Sequence, residues 1–185
     1  MRIYDQKDLL RSKFKLVREK TSLIERKNVK RNVEKYLNNL SINQKISGYI
    51  GIYWPIKNEV DLRDLKRKYS LALPKCQASK ILKFYIWDEN PLKEDFEGIP
   101  SPCTNNSLSH DQISIMFVPC LSVDKSLNRL GYGGGYFDRL RANKYWGKVT
   151  AIGILTSNCI SADLIACSEL DIPLSGYITD KEIVI

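Results

Sequence analysis

The residues best suited to chemistry lie in 128–141, where closely spaced glycines stand between charged and aromatic side chains. Four of the ten glycines in the chain fall within five positions, at Gly131, Gly133, Gly134 and Gly135. Glycine permits positive φ angles and the close approach of a ligand to the backbone. Successive N–H groups in such a turn bind anions, and a helix predicted over 136–143 would add its positive end. The pattern therefore predicts a phosphate-binding turn, with an ordinary flexible loop as the alternative.

Two common phosphate-binding loops do not match this segment. The Walker A loop needs G-x-x-x-x-G-K-[ST], and the chain contains no such string. The dinucleotide fingerprint G-x-G-x-x-G fits at Gly131 and Gly133, but its last glycine position falls on Tyr136. The segment also lies late in the chain, whereas that fingerprint usually follows the first strand of its unit. Both observations disfavour a dehydrogenase.

The composition excludes several kinds of catalytic site. His110 is the only histidine, which disfavours a histidine-based triad or a histidine-rich metal site. The five cysteines form no C-x-x-C pair, so we expect reduced thiols rather than a disulfide framework or a zinc site. Catalysis is therefore expected to depend on carboxylates, lysine, arginine, backbone groups and a cofactor.

The positive charge is concentrated near the start of the chain. The net charge is +8, and residues 1–35 hold twelve Lys/Arg against five Asp/Glu, or +7. A helix is predicted over 5–20, and Lys7 and Arg11 lie four apart on one of its faces, where they could bind a polyphosphate. Exposed solubilising charges are the alternative. A nucleic-acid-binding module is a further alternative, but an aromatic-interleaved basic surface and a recognised binding motif are missing.

The remaining pattern predicts the elements that position these residues. Ser22–Glu25 fits a capping box that opens a second helix. Buried strands are predicted at 46–54, 71–74, 81–87, 113–119 and 148–155, with a terminal hairpin at 176–185. Strands that alternate with helices predict an α/β layered fold with a mostly parallel sheet. Asp61 is expected to cap a helix running to about Tyr69, and 88–112 is expected to be a long loop.

Glu59 follows the first predicted strand, at the carboxyl end where open α/β sheets place their ligands. A loop carboxylate in water is the alternative interpretation. No apolar run approaches the length of a membrane span, and the first residues lack the apolar centre of a signal peptide. We therefore expect a single cytoplasmic domain over residues 1–185, monomeric, with neither a membrane nor a nucleic acid as partner.

The string from Arg129 to Arg139, Arg-Leu-Gly-Tyr-Gly-Gly-Gly-Tyr-Phe-Asp-Arg, closely resembles the signature of the 5-formyltetrahydrofolate cyclo-ligases, also called methenyltetrahydrofolate synthetases. The resemblance extends along nearly the whole chain. Other stretches that resemble family motifs are Lys7–Arg11, Tyr53–Pro55 with Glu59–Asp61, Leu73–Lys75, Val118–Asp124, Asp171–Leu174 and Tyr177–Thr179. The chain departs from the family pattern at Ser101, Cys159 and Ser175.

This resemblance implies a fold and a reaction. The family fold is a single three-layer, Rossmann-like α/β domain with a mostly parallel central sheet and helices on both faces. The family uses ATP and Mg²⁺ to close 5-formyltetrahydrofolate into 5,10-methenyltetrahydrofolate, with release of ADP and phosphate. The reaction is thought to pass through a phosphorylated formyl group, an imidate. Another ATP-dependent α/β enzyme with a different substrate is the alternative.

The resemblance also implies roles for individual residues. The catalytic residues would be Arg129, Tyr136 and Asp138, and Mg²⁺ would be held by Asp138 and Asp171. ATP would be bound by Lys7, Arg11, Lys75, Arg129, Leu130, Gly131, Tyr132, Gly133, Gly134, Gly135, Tyr136 and Phe137. The folate would contact Trp54, Glu59, Tyr132, Gly133, Gly134, Gly135 and Tyr136. For Tyr132 and Tyr136, the alternative is that either side chain packs into the core.

Overall fold

A seven-stranded sheet organises the α/β fold of this chain, as a computed structural model shows for residues 3–43 and 45–185. The helices are α1 (Ile3–Glu19), α2 (Leu23–Ile42) and α3 (Tyr136–Ala142). The strands are β1 (Tyr49–Gly51), β2 (Leu71–Gln77), β3 (Ile81–Ile86), β4 (Lys93–Glu94), β5 (Pro100–Ser101), β6 (Ile113–Pro119), β7 (Ser122–Val123), β8 (Arg129–Leu130), β9 (Ala151–Ile154), β10 (Gly176–Ile178) and β11 (Ile183–Val184).

The main sheet has the strand order β11-β10-β9-β6-β1-β2-β3. Its five central strands are parallel, and β11 and β3 add one antiparallel strand at each edge. The strands β4 and β5 pair with each other, as do β7 and β8, in two small antiparallel ribbons. The carboxyl ends of β1, β6 and β9 therefore meet along one edge of the sheet, which is the edge where parallel α/β folds bind ligands.

Apolar side chains cover both faces of this sheet. Along β6, Ile115 and Phe117 pack in one buried cluster, whereas Met116 and Val118 pack in the other. This alternation follows from the two-residue period of a strand. Helix α2 supplies the first cluster with Val29, Val33 and Leu37, and α1 and α3 supply the second with Phe14 and Leu140. The arrangement confirms the predicted three-layer fold with helices on both faces.

The local predictions are confirmed in part. Ser22 and Glu25 form the expected capping box at the start of α2. The predicted strand at 46–54 is wrong in extent, because only Tyr49–Gly51 forms a strand before Pro55, and within it only Ile50 and Gly51 pair on both sides. The helix expected after Asp61 is a short 3₁₀ helix, Arg63–Arg67. The Asp61 carboxylate accepts a hydrogen bond from the Arg63 backbone N–H at 3.0 Å and binds the guanidinium of the same residue, so it forms a local turn rather than a cap.

The long segment 88–112 contains the β4–β5 ribbon, so the prediction of an unstructured loop there is wrong in part. The terminal hairpin is confirmed as β10 and β11. Within the described ranges, no helix is long and apolar enough to cross a membrane.

Candidate active site

The glycine segment is fixed at its start by a buried carboxylate. Asp124 is buried and accepts hydrogen bonds from the backbone N–H groups of Ser126, Asn128 and Ile165 at 2.8, 3.0 and 2.8 Å. These bonds close the turn between β7 and β8, the strand that begins with Arg129. The glycines therefore emerge from a rigid ribbon beside the carboxyl end of β6.

Arg129 links this ribbon to α3 and to the main sheet. Its guanidinium donates to the carbonyl of Pro119 at 2.9 Å and to the Asp138 carboxylate at 2.6 Å. Burial opposes the charge on Arg129, but the carboxylate of Asp138 raises the pKa of the guanidinium above its usual value. Arg129 and Asp138 thus form a partly buried ion pair across the glycines.

The glycines are required for two different physical reasons. Gly133 and Gly135 have φ angles of 108° and 68°, which disfavour residues with a Cβ atom. Gly131 has no positive φ, but a Cβ atom there would lie 2.7 Å from a terminal nitrogen of Arg129. The segment is therefore a turn that only glycine allows at these positions, closely packed around its own arginine, and it leads into α3 through Gly135.

The first helix brings cations to the same turn. The Arg11 guanidinium donates to the carbonyl of Gly131 at 3.1 Å, and the Lys7 ammonium donates to Asp171 at 2.7 Å. Asp171 also accepts the backbone N–H of Ser168 at 2.6 Å. Burial opposes the ionisation of Asp171, yet the hydrogen bonds from Lys7 and Ser168 lower its pKa. The sequence spacing of Lys7 and Arg11 therefore places both beside predicted site residues that lie more than 100 positions later.

Arg141 supports this arrangement and has no role in the sequence-based prediction. The side chain is buried and donates to the carbonyls of Ile172 and Pro173 at 2.5 and 2.7 Å. Burial lowers the pKa of Arg141 to about 10. Helix α3 thereby fixes the segment that carries Asp171, so a single short helix positions both predicted metal-binding carboxylates.

A cavity of about 140 Å³ opens beside the glycine segment, and most of its lining is apolar. Its walls come from the carboxyl end of β1, from β2, from the β4–β5 ribbon and from the glycine segment. The lining residues are Tyr53, Trp54, Ile56, Glu59, Pro74, Cys76, Leu82, Asp95, Ile99, Pro119, Arg129, Tyr132, Gly134, Gly135, Tyr136 and Phe137. The cavity suits a flat, partly apolar ligand with few polar groups.

Glu59 lies against this cavity and is nearly buried. Burial raises the pKa of its carboxyl group to about 7, although the Ile56 N–H and the Arg18 guanidinium oppose the rise. The Ile56 N–H donates to one carboxylate oxygen at 2.9 Å, and the other oxygen lies 3.5 Å from a terminal nitrogen of Arg18. The sequence analysis identified Glu59 but missed Arg18, because Arg18 is one of many basic residues in α1 and nothing in the sequence sets it apart from the exposed ones.

The β4–β5 ribbon forms the outer wall of the cavity. Asp95 accepts the backbone N–H groups of Cys76 and Ile99 at 2.7 and 3.0 Å, which fixes the ribbon to β2. The Tyr136 hydroxyl donates to Glu97 at 2.5 Å, and this hydrogen bond raises the pKa of Tyr136 to about 12. The ribbon therefore closes the cavity against the glycine segment, a role that the predicted loop did not specify.

The structure brings most of the predicted site residues together, with one exception. Lys75 lies on β2 between Pro74 and Cys76, both of which line the cavity. Successive strand residues point to opposite faces, and the Lys75 ammonium lies 5.6 Å from the centre of the Tyr85 ring. No hydrogen bond or ion pair among the described residues joins Lys75 to the glycine segment. None of the three departures from the family pattern, at Ser101, Cys159 and Ser175, lines the cavity.

The predicted Mg²⁺ ligands, Asp138 and Asp171, do not form a metal site by themselves. Among residues 3–43 and 45–185, no group of three histidine, cysteine or acidic side chains could hold a metal alone. Mg²⁺ usually takes one or two carboxylates together with phosphate oxygens and water, so a complete protein cage is not required. Asp138 is partly exposed, and only its Oδ1 atom is paired, with Arg129. The donor set therefore fits a metal that arrives with a phosphate ligand.

A doubly covered α/β sheet, a glycine turn with buried cations and an adjoining apolar cavity define an α/β protein with a ligand-binding site at the carboxyl ends of its strands. A model of the 5-formyltetrahydrofolate cyclo-ligase family matches residues 3–179. The chain therefore belongs to the 5-formyltetrahydrofolate cyclo-ligase family, and the resemblance seen in its sequence is confirmed.

Relatives in sequence and structure agree with this family. A 5-formyltetrahydrofolate cyclo-ligase of Haemophilus influenzae is 26% identical over 176 residues, which cover 89% of this chain and 92% of the relative. A 5,10-methenyltetrahydrofolate synthetase of Aquifex aeolicus superimposes with a TM-score of 0.73 at 27% identity, covering 96% of this chain and 91% of the other. A synthetase of the same kind from Mycoplasma pneumoniae gives 0.68 at 26% identity, covering 94% and 98%.

Proposed function

We propose that this protein catalyses the ATP- and Mg²⁺-dependent cyclisation of 5-formyltetrahydrofolate to 5,10-methenyltetrahydrofolate, with release of ADP and phosphate. Family membership supports the cyclo-ligase activity. The observation that carries the ATP-dependent form is the Arg129–Asp138 ion pair across the glycine turn, directly beside an apolar cavity. A phosphate and a flat ring system would meet at that boundary.

An amide oxygen is a poor leaving group, and phosphorylation makes it a good one. In the proposed reaction the formyl oxygen attacks the γ-phosphorus of ATP, a bond forms between them, and the bond to ADP breaks. The N10 lone pair then attacks the formyl carbon, the carbon–oxygen bond breaks, and phosphate leaves as N10 loses its proton. Such a reaction requires the protein to position two substrates and to neutralise charge, rather than to supply a nucleophile.

The phosphate chain is assigned to the turn and to the cations around it. Lys7, Arg11 and Arg129 supply positive charge, and the backbone N–H groups of residues 130–137 supply hydrogen-bond donors. Asp138 and Asp171 would hold Mg²⁺, which neutralises charge on the transferred phosphate. Lys75 stays a predicted ATP ligand, although its side chain does not lie beside the turn. These roles are proposals that rest on the family signature and on the contacts of α1 with Gly131 and Asp171.

The folate is assigned to the apolar cavity. Trp54 and Tyr132 line it with aromatic surface, and Glu59 is the buried acceptor for the donor edge of the pterin ring. Tyr136 and the glycines of residues 133–135 stand between this cavity and the phosphate site. The formyl group would therefore lie beside the γ-phosphate when both substrates are bound.

A direct assay tests the proposal. Purified protein is mixed with Mg-ATP and 5-formyltetrahydrofolate, and the absorbance of the methenyl product is followed together with the release of ADP. We expect one ADP for each product molecule, and no product when ATP is omitted or when a chelator removes Mg²⁺. Product formation without ATP, or the absence of product under all conditions, would refute the proposal.

A matched pair of variants tests the assignment of Asp138. Asp138→Ala is expected to abolish turnover while the circular dichroism spectrum stays native. Asp163→Ala removes an exposed carboxylate elsewhere on the surface and is expected to keep wild-type activity. An active Asp138→Ala enzyme would remove the metal assignment but leave the cyclo-ligase activity intact.

A further inference from the structure

Arg18 joins three separate segments of the chain at the inner end of the cavity. The side chain projects from α1, is only 8% exposed, and donates one hydrogen bond to the Tyr132 hydroxyl and another to the carbonyl of Cys120. The same terminal nitrogen that bonds Tyr132 lies 3.5 Å from Glu59 Oε1. One guanidinium therefore contacts the folate-side carboxylate, the glycine segment and the end of β6.

Glu59 depends on this arginine for its environment. Its Oε2 atom accepts the Ile56 N–H, whereas Oε1 is buried and has no hydrogen-bond partner among the described residues. Arg18 forms the ion pair of this carboxylate at 3.5 Å. The other titratable or charged groups that face Glu59 are Tyr53 after β1, Arg129 of β8, Tyr132 of the glycine segment and Arg26 of α2, which shares a smaller cavity with Glu59.

We propose that Arg18 is a positioning residue, which keeps Glu59 in its anionic, hydrogen-bond-accepting form for the folate and holds Tyr132 at the boundary with the phosphate site. This inference rests on the proposed function and names a residue through which its two binding sites are joined. Arg18 lines an adjoining open pocket, and its guanidinium reaches the apolar cavity through Glu59 and Tyr132, both of which line that cavity.

The physical reason is the cost of ionising a buried carboxyl group. Burial already raises the pKa of Glu59 to about 7, and the charge of Arg18 is one of the factors that oppose the rise. An opposite charge at this distance commonly lowers the pKa of a carboxyl group by about 1–3 units. Without Arg18, more of the Glu59 carboxyl group is protonated near neutral pH. A protonated carboxyl group can accept from only one of two adjacent donors on the pterin ring, so loss of Arg18 weakens folate binding.

The test compares Arg18→Gln with Lys13→Gln, which removes one positive charge from an exposed position on the same helix. For Arg18→Gln, the acid limb of the pH profile of kcat/KM for the folate is expected to move upward by at least about one unit. A rise of about one unit from the wild-type pKa of about 7 would lower kcat/KM at pH 7 about fivefold through ionisation alone, with recovery at alkaline pH. The KM for ATP is expected to change less than the KM for the folate, and Lys13→Gln is expected to match the wild type.

A double variant separates positioning from a general loss of structure. In a Glu59→Gln background, Arg18→Gln is expected to cause no further shift of the acid limb, because the group that titrates is absent. An unshifted limb in Arg18→Gln, or an equal shift in the Glu59→Gln background, would overturn the inference. If Arg18→Gln fails to fold, Arg18→Lys carries the test. It keeps the charge, so the acid limb of the pH profile should stay within about half a unit of the wild type. The KM for the folate should rise, because one ammonium group cannot bind Glu59, Tyr132 and Cys120 together.

The same inference can be tested if no cyclisation is detected. Carbon-detected NMR titration of labelled glutamate side chains gives the pKa of Glu59 in the wild type and in the Arg18 variants without any substrate. An equal Glu59 pKa in wild type and Arg18→Gln refutes the role of Arg18. A raised Glu59 pKa in an inactive protein supports that role and refutes only the proposed function.

Discussion

Replacement of Gly131 by alanine tests whether the glycine turn is built around Arg129. A Cβ atom at this position would lie 2.7 and 2.8 Å from the two terminal nitrogens of Arg129 and 3.0 Å from the carbon between them. The guanidinium belongs to a flexible side chain, but it is held by Pro119 at 2.9 Å and by Asp138 at 2.6 Å. It must therefore shift away from at least one partner.

The expected magnitude differs between stability and activity. Overpacking of this kind costs about 1–3 kcal/mol, which lowers the Tm of a chain of this size by roughly 2–4 °C per kcal/mol. Displacement of a positioning group by about 1 Å costs on the order of 100-fold in rate. We therefore expect Gly131→Ala to stay folded at 25 °C and to lose about 100-fold in kcat/KM in the absorbance assay.

Gly48→Ala is the matched control for this variant. Gly48 has a φ of 86°, and a Cβ atom there would lie 2.5 Å from the carbonyl oxygen of Gln112. It precedes β1, at the end of the sheet opposite the glycine segment, so the substitution costs stability without contact to the site. Its kcat/KM should equal that of the wild type. Wild-type kcat/KM in a folded Gly131→Ala enzyme would refute the reasoning that Arg129 needs this glycine.

Three further predictions concern charges at the site. Asp138→Asn leaves the buried guanidinium of Arg129 without its ion pair, and we expect the free energy of unfolding in urea to fall by about 2 kcal/mol. This loss is below the usual range for buried pairs because Asp138 is 26% exposed. The control variant Asp163→Asn should unfold like the wild type, and equal unfolding midpoints for Asp138→Asn and the wild type would contradict the prediction. Lys7→Gln removes a charged phosphate donor and should raise the KM for ATP about tenfold without raising that for the folate; an effect on both would argue against the assignment. Glu59 has a folded pKa of about 7 against the usual 4.5, so the stability it contributes is complete below pH 4.5 and is lost as pH rises through 7. The free energy of unfolding of Glu59→Gln, measured against that of the wild type, should therefore gain about 3 kcal/mol between pH 4.5 and 8; a difference independent of pH would refute the burial argument.

Local sequence patterns predicted the parts of this protein that depend on near neighbours. The capping box at Ser22, the buried strand at 113–119 and the terminal hairpin each follow from residue types within a few positions. The glycine string with Arg129 and Asp138 is of the same kind, because its ion pair spans only nine residues. Such features do not depend on how distant segments pack, since their partners are already close along the backbone.

Only the tertiary structure decided which distant residues meet. Lys75 faces away from the turn because the register of β2 puts Pro74 and Cys76 on the cavity side. The segment 88–112 becomes a cavity wall because Asp95 reaches the Cys76 N–H on a neighbouring strand.

The clearest case is Arg18. In sequence it is one of twelve basic residues in the first 35, and nothing near it distinguishes it from the exposed ones. The fold places it against Tyr132, which lies 114 residues later, and beside Glu59. The sequence determined which groups are available for binding phosphate and folate. The packing of α1 across the carboxyl ends of the strands decided which of its cations are buried among them, because that depends on pairings far apart along the chain.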